Sequence, residues 1–219
     1  MHSPTSGSFE TWASTRDGAI NMHVLIGCEF SGVVRRAFRA RGHKAISCDL
    51  LPADDGEVDH HLQEDVLAVL EREWWHFDLA IFHPPCTRLA NSGVRWLYGG
   101  KGNVPDLTIW TDMEKAAHFF RALLRTKIRK VAIENPIMHS HAVAIIGRRP
   151  TQIIQPWMFG HGETKATCLW LRNLPPLEPT RIVEGRRPRV HHESPGPDRW
   201  KRRSVTYDGI AAAMAEQWG

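Results

Sequence analysis

Apolar residues in this chain fall into short runs separated by stretches of helical period. MHVLIGC (22–28), KAISCDL (44–50), FDLAIF (77–82), KVAIEN (130–135), TQIIQ (151–155) and ATCLWL (166–171) have the length and texture of strands. Pro84 and Pro85 follow the third run and Pro136 closes the fourth; a residue with a fixed φ and no N–H ends a ladder. VVRRAFRARG (33–42) carries Val33, Val34 and Phe38 at helical positions and stops at Gly42. LQEDVLAVLEREW (62–74) and TDMEKAAHFFRALLRTK (111–127) read as helices, the second with Thr111 as its N-cap, and SVTYDGIAAAMAEQW (204–218) ends in another. Strands alternating with helices predict an α/β domain with a largely parallel sheet. No full helix pattern separates the last two strands, so one antiparallel edge strand is expected there.

A chain of 219 residues is long enough for one domain with a sizeable core. Patterned sequence begins at Met22. Residues 1–21 are polar, without the apolar segment of a secretory signal, and read as a flexible tail before a domain over 22–219. No apolar run approaches a membrane span, so no membrane partner is expected. Cys28, Cys48, Cys86 and Cys168 are widely spaced and form no CxxC pair, which argues for reduced thiols in a cytoplasmic compartment and gives no metal site. The net charge of +4 and pI near 9.0 suit a polyanionic partner without requiring one. Between 175 and 203 the texture turns to proline and arginine. Arg181, Arg186, Arg187, Arg189, Arg199, Lys201, Arg202 and Arg203 face only Glu184, Glu193 and Asp198, as in a functional or merely solvated loop.

Candidate chemistry collects where strands end, the place at which open α/β sheets bind ligands. IGCEFSG follows the first strand, and Gly27 and Gly32 there allow close approach of a ligand beside a helix N-terminus. Asp49 ends the second strand and suits a ribose diol. Cys86 stands just past the third, after His83-Pro84-Pro85, and Glu134-Asn135 end the fourth. A thiol near a carboxyl group suggests covalent catalysis with acid–base help; a buried thiol acting as a small hydrophobe is the plain alternative. His83, His139, His141 and His161 keep a Cys–His hydrolase open. A zinc deaminase needs a second cysteine three residues after the first, and Leu89 stands there.

These elements resemble those of the DNA cytosine-5 methyltransferases, and in particular short phage-type members. DLAIFHPPCTRLANSG is similar to the family's catalytic strand and loop, with Pro85-Cys86 and Ser92-Gly93 at the family's spacing. VAIENPIM resembles the Glu-Asn-Val element, with Pro136 in place of valine, and VLIGCEFSGVVRRAFRARGH resembles the first cofactor-binding turn. The resemblance runs from about Met22 to Trp218 and implies a Rossmann-like fold using S-adenosylmethionine. Cys86, Glu134 and Asn135 take the catalytic places. Gly27, Glu29, Phe30, Ser31, Asp49, Leu50, Asp65, Val66 and Pro84 take the cofactor places, with Asp49 on the ribose and Asp65 on the adenine amine. Pro85, Arg88, Ser92, Lys165, Arg186, Arg187 and Arg189 are the expected contacts to DNA, and Arg88 is the expected cation beside Cys86.

The departures are informative. FGHGETKATCLWL stands where the family has Gln-x-Arg-x-Arg, with Glu163, Lys165 and Thr167 in those places. Gly209-Ile210 replaces a closing Gly-Asn, and only the basic segment 175–203 fills the interval of the family's target-recognition region. Weak sequence reading, a protein partner or a homo-oligomer is therefore expected. The same chemistry on a free deoxycytidine nucleotide, transfer of a modified group, and a degenerate fold that only binds DNA or a partner stand as alternatives.

Overall fold

The computed structural model describes residues 21–99 and 104–219; the expected tail lies, but for Asn21, outside the described residues. Seven strands form one sheet: β1 (His23–Gly27), β2 (Lys44–Asp49), β3 (His61–Gln63), β4 (Leu79–Phe82), β5 (Lys130–Pro136), β6 (Gln152–Ile154) and β7 (Thr167–Arg172). Their order is β3-β2-β1-β4-β5-β7-β6. The first five run parallel. β7 runs against β5, and β6 runs against β7 and so with the majority. The antiparallel strand expected at the edge thus lies one place in, and the short β6 forms the edge.

Alternate residues of each central strand go to opposite faces. Leu25, Ala80, Phe82, Val131 and Ile133 meet α2 (Val66–Glu73), α3 (Leu107–Leu124) and α4 (Ser140–Ile146). Val24, Ile26, Leu79, Ile81 and Ala132 meet α1 (Val33–Ala40) and α6 (Asp208–Trp218). Both faces are covered, which is why β1 and β4 read as continuous apolar runs without alternation. The result is a Rossmann-like three-layer fold. Arg35 of α1 is fully buried and is held by Asp55 at 2.5 Å, Glu57 at 3.4 Å and the Ser47 hydroxyl at 2.8 Å. It ties α1 to β2 and to the chain leading into β3.

Several expectations are corrected. The helix read over 62–74 begins only at Val66, because His61–Gln63 pair with Ser47–Asp49 as β3. α3 starts earlier than expected: Asp106 accepts the Thr108 and Ile109 N–H groups, and Thr111 lies inside the helix with its hydroxyl donating to Leu107 O. α4 was not expected; the His139 imidazole caps it by accepting from Ala142 N. The helix expected at the end of 204–218 is α6, and a short α5 (Arg199–Ser204) before it was not expected.

The basic segment is docked over much of its length. Arg181 and Val183 N–H groups donate to Met158 and Trp157 carbonyls, and Arg187 exchanges backbone bonds with Gly162 and Thr164. Residues 181–187 therefore lie alongside 157–164. The chain runs outward from β1 through β2 to β3, then returns to β4 on the other side of β1. Strand order reverses between β1 and β4, and a crevice opens at their carboxyl ends.

Candidate active site

Gly27 and Phe82 are register partners at the ends of β1 and β4, and Phe82 in turn pairs with Ile133. The next residue of each strand therefore emerges at one level. His83 N donates to Gly27 O at 2.9 Å, extending the ladder by one residue before the two prolines leave it. Glu134 follows Ile133, and the His83 ring Nδ1 lies 3.1 Å from its Oε2. Asn135 is buried and its Nδ2 donates to Pro84 O at 2.8 Å. The far end of the Pro-Pro-Cys loop is fastened as well. Asn91 N donates to Ile137 O, His139 N to Leu89 O, and the His139 ring Nε2 to Arg88 O. That ring direction follows from its Nδ1 accepting Ala142 N. Cys86, half-buried, opens a tight turn in which its carbonyl accepts from Leu89 N and Ala90 N.

The electrostatics of Cys86 and Glu134 are joined. Burial pushes the Cys86 thiol up, the Glu134 charge adds to the effect, and Lys165 and Arg203 oppose it. Burial also disfavours the Glu134 carboxylate, but the His83 hydrogen bond and charge, with Lys165, outweigh it and hold the group below the usual glutamate range. The cations acting on Cys86 are thus Lys165 and Arg203. Arg88, the expected one, is 3.2 Å from Asp112 of α3. Lys165 donates from Nζ to Arg203 O at 2.8 Å, which brings the loop before β7 and the end of α5 together at the site. Among the described residues no histidine is hydrogen-bonded to Cys86: His141 is near Tyr98 and Trp110, and His161 accepts from Gly209 N. The Cys–His hydrolase loses its base.

The turn after β1 is built differently from the expectation. A side chain at Gly27 would come within 2.5 Å of Phe82 and 2.7 Å of Val66, and one at Gly32, at φ +68°, would overlap Asp55 and Arg35. Both glycines serve the chain's own packing rather than a ligand's approach. Val66 is buried beneath Gly27 in the core, so its side chain faces no ligand. Glu29 is buried and accepts Val34 N at 2.7 Å and Arg35 N at 3.3 Å. The N-terminus of α1 is therefore already filled by a carboxyl group and offers no phosphate site. Cys28, Glu29, Phe30 and Ser31 line a cleft with His83 and Ser204–Thr206. His83 Nε2 is buried and has no hydrogen-bond partner among the described residues.

On the other side of β1, Asp49 accepts from Leu51 N, and Leu50 is 72% exposed. Asp65 caps α2 by accepting Leu67 N. Both aspartates act on the Cys28 thiol, which burial first and then these charges keep protonated. Burial raises Asp49 itself. Pro84 is buried, Pro85 exposed, and Ser92 exposed on the turn that follows the cysteine loop. Of the basic residues, Arg186 lies over the Trp157 ring at 3.6 Å, Arg187 is exposed, and Arg189 is 2.5 Å from the buried Glu163. Two contributors escaped sequence reading, His83 as the Glu134 partner and Arg203 beside Cys86. Adjacency in HPPC pointed His83 toward the cysteine, and nothing local revealed that Glu134 lies across the neighbouring strand.

Among the described residues no group of histidine, cysteine and acidic side chains could hold a metal ion, and no helix is long and apolar enough to cross a membrane. No protein-family model and no curated protein matches the chain. Among solved structures it is similar to one described as a methyltransferase of Entamoeba histolytica, EhMeth, with 14% identity and a TM-score of 0.48. The match covers 81% of this chain and 61% of that one, so the chain spans about three fifths of that protein's length.

Proposed function

We propose that this protein transfers a methyl group from S-adenosylmethionine to carbon 5 of cytosine in DNA, through a covalent bond between Cys86 and carbon 6. The observation that carries the reading is the placement of Cys86 and Glu134 just past and at the ends of the neighbouring strands β4 and β5, near enough for the Glu134 charge to act on the thiol. The cleft and the neighbouring end of β2 together suit this cofactor. Asp49 and exposed Leu50 offer an acceptor and an apolar surface for a nucleoside, the unpartnered His83 Nε2 awaits a polar atom, and Glu29 excludes a phosphate. Glu29, Phe30 and Ser31 would hold the amino-acid end, and Asp49, Leu50 and Asp65 the nucleoside. When bound, the cofactor supplies an electrophilic methyl group.

The residues of the chain do the rest. Carbon 5 of cytosine is a poor nucleophile until a thiolate adds at carbon 6. Cys86 adds there, and Lys165 and Arg203 favour its charged form. Glu134 handles the proton at ring N3, help worth about 10²–10⁴-fold. Asn135 holds Pro84, and with it the cysteine loop, at the correct height. After methylation the carbon 5 proton passes to solvent water, its electron pair re-forms the carbon 5–carbon 6 double bond as the sulfur–carbon 6 bond breaks, and the N3 proton returns through Glu134, so that Cys86 departs. A base in a duplex must first be flipped out, at a cost of a few kcal/mol, which phosphate contacts from Arg186 and Arg187 offset.

The test uses labelled S-adenosylmethionine with cytosine DNA, 5-fluorocytosine DNA and deoxycytidine nucleotides. Label should enter cytosine DNA. Fluorine cannot leave carbon 5 as a cation, so 5-fluorocytosine DNA should remain bound through denaturation, on Cys86 and only with cofactor present. Trapping by the Cys86→Ser protein would exclude the nucleophile. The docked segment between β7 and α6 favours a second reading, the free nucleotide as substrate, because little chain remains for reading a duplex. Label in the nucleotide and none in DNA would select it.

A further inference from the structure

His83 takes no part in the proton transfers of the mechanism above. Its imidazole is 9% exposed and faces two ways. Nδ1 is bonded to Glu134 Oε2 at 3.1 Å, while Nε2, without a hydrogen-bond partner among the described residues, belongs to a ring that lines the cleft beside Cys28–Ser31. The prolines that follow and the His83 N–H bond to Gly27 fix its backbone. Two further charged groups bear on His83 and Glu134: Glu29 from the turn after β1 and Lys165 from the loop before β7.

We propose that His83 is a positioning residue that keeps Glu134 a carboxylate beside Cys86, so that Glu134 takes the thiol proton and passes it to the base. The inference rests on the cytosine reading for its last step only. The S–H bond breaks and its proton goes to the Glu134 oxygen that His83 does not hold. As the sulfur–carbon 6 bond forms, the electron pair of the carbon 5–carbon 6 double bond moves through carbon 4 onto N3. N3 takes the proton from Glu134, which is a carboxylate again. No outside acid or base is needed, and the proton count is unchanged. A thiol held up by burial and a carboxyl group held down by His83 are too far apart for the proton to rest on Glu134, so its transfer accompanies bond formation.

The roles separate experimentally because the Glu134 charge itself suppresses the Cys86 thiolate. His83→Phe removes the hydrogen bond and keeps a ring; His83→Asn leaves an amide N–H near the place of Nδ1. With its partner gone, Glu134 becomes protonated at higher pH, since burial is then opposed by Lys165 without His83. Iodoacetamide labelling at pH 7, mapped by peptide, should therefore rise at Cys86 in His83→Phe by roughly threefold or more, as in Glu134→Gln. Methyl transfer to DNA should fall in the same protein, with its acid limb moved upward in pH, and His83→Asn should lie between. Buried Cys48 and Cys168 report the fold. If they become labelled in His83→Phe, the His83→Asn protein decides. Equal Cys86 labelling in wild type and His83 variants, with faster labelling in Glu134→Gln, would overturn the pair. Faster methyl transfer in His83→Phe would also overturn it, since Glu134 would then act as a protonated acid. Shifted labelling with no label in any cytosine would sink the cytosine reading and leave the His83–Glu134 pair standing.

Discussion

Glu29 and Glu134 share His83 as a neighbour, yet burial prevails at one and is outweighed at the other. Burial raises Glu29 despite two N–H donors, the His83 charge and Arg35, whereas Glu134 is lowered. The consequences for stability have opposite sign. A lowered carboxyl contributes stability that is present above the ordinary glutamate pKa, about 4.3, and is lost as pH falls through the folded value. A raised one binds its proton more tightly when folded, so the folded state gains as pH falls through that value. Glu29→Gln should remove this gain and make the acid arm of the stability curve begin at higher pH. Urea unfolding across pH 3–7, a range of about four units around that carboxyl pKa, measures it; an unmoved acid arm would contradict the assignment. Asn135→Ala leaves Pro84 O unpaired and should cost about 1–2 kcal/mol. It should also slow 5-fluorocytosine trapping, which compares directly with wild type by gel shift under denaturing conditions.

At the scale of elements, the basic segment divides into groups of different use. Arg189 answers buried Glu163, while Arg186 and Arg187 keep their charges at the surface. Arg186→Ala and Arg187→Ala should each reduce the salt slope of DNA binding by about 0.9, measured by fluorescence anisotropy. Arg189→Ala should chiefly destabilise the docked segment, and an equal loss of slope from all three would refute this division. Buried strands, the turn after β1 and the Pro-Pro-Cys loop were legible because their signals are local: apolar runs, glycine and proline. β3 was not, because Leu62 and Gln63 become a strand only by pairing with Cys48 and Asp49. Asp106 outranked Thr111 as a cap because helix onset depends on which N–H groups a side chain reaches. The His83–Glu134 contact depends on β4 and β5 being neighbours in register, a property of the sheet and not of either segment. Lys165 stood out as a family departure, but its place beside Arg203 needed the fold.

As a whole molecule, the chain places Cys86 and Glu134 at a sheet switch point, and among the described residues no separate domain stands between β7 and α6. Duplexes of different sequence around a single cytosine should bind within about tenfold of one another, in contrast with the 10³–10⁷ span of sequence-specific proteins. A larger spread in a binding panel would point to base readout by the docked segment. The carboxyl group that closes the α1 N-terminus reaches further than the site. A cell holds adenosine phosphates in abundance, and each presents the same adenosine surface as S-adenosylmethionine, the proposed cofactor. Their phosphates would have to displace the Glu29 carboxyl group from Val34 N and Arg35 N and give up water in a dry corner. The pocket should stay open to its scarcer ligand amid that competition, and saturating ATP should leave S-adenosylhomocysteine binding by calorimetry unchanged.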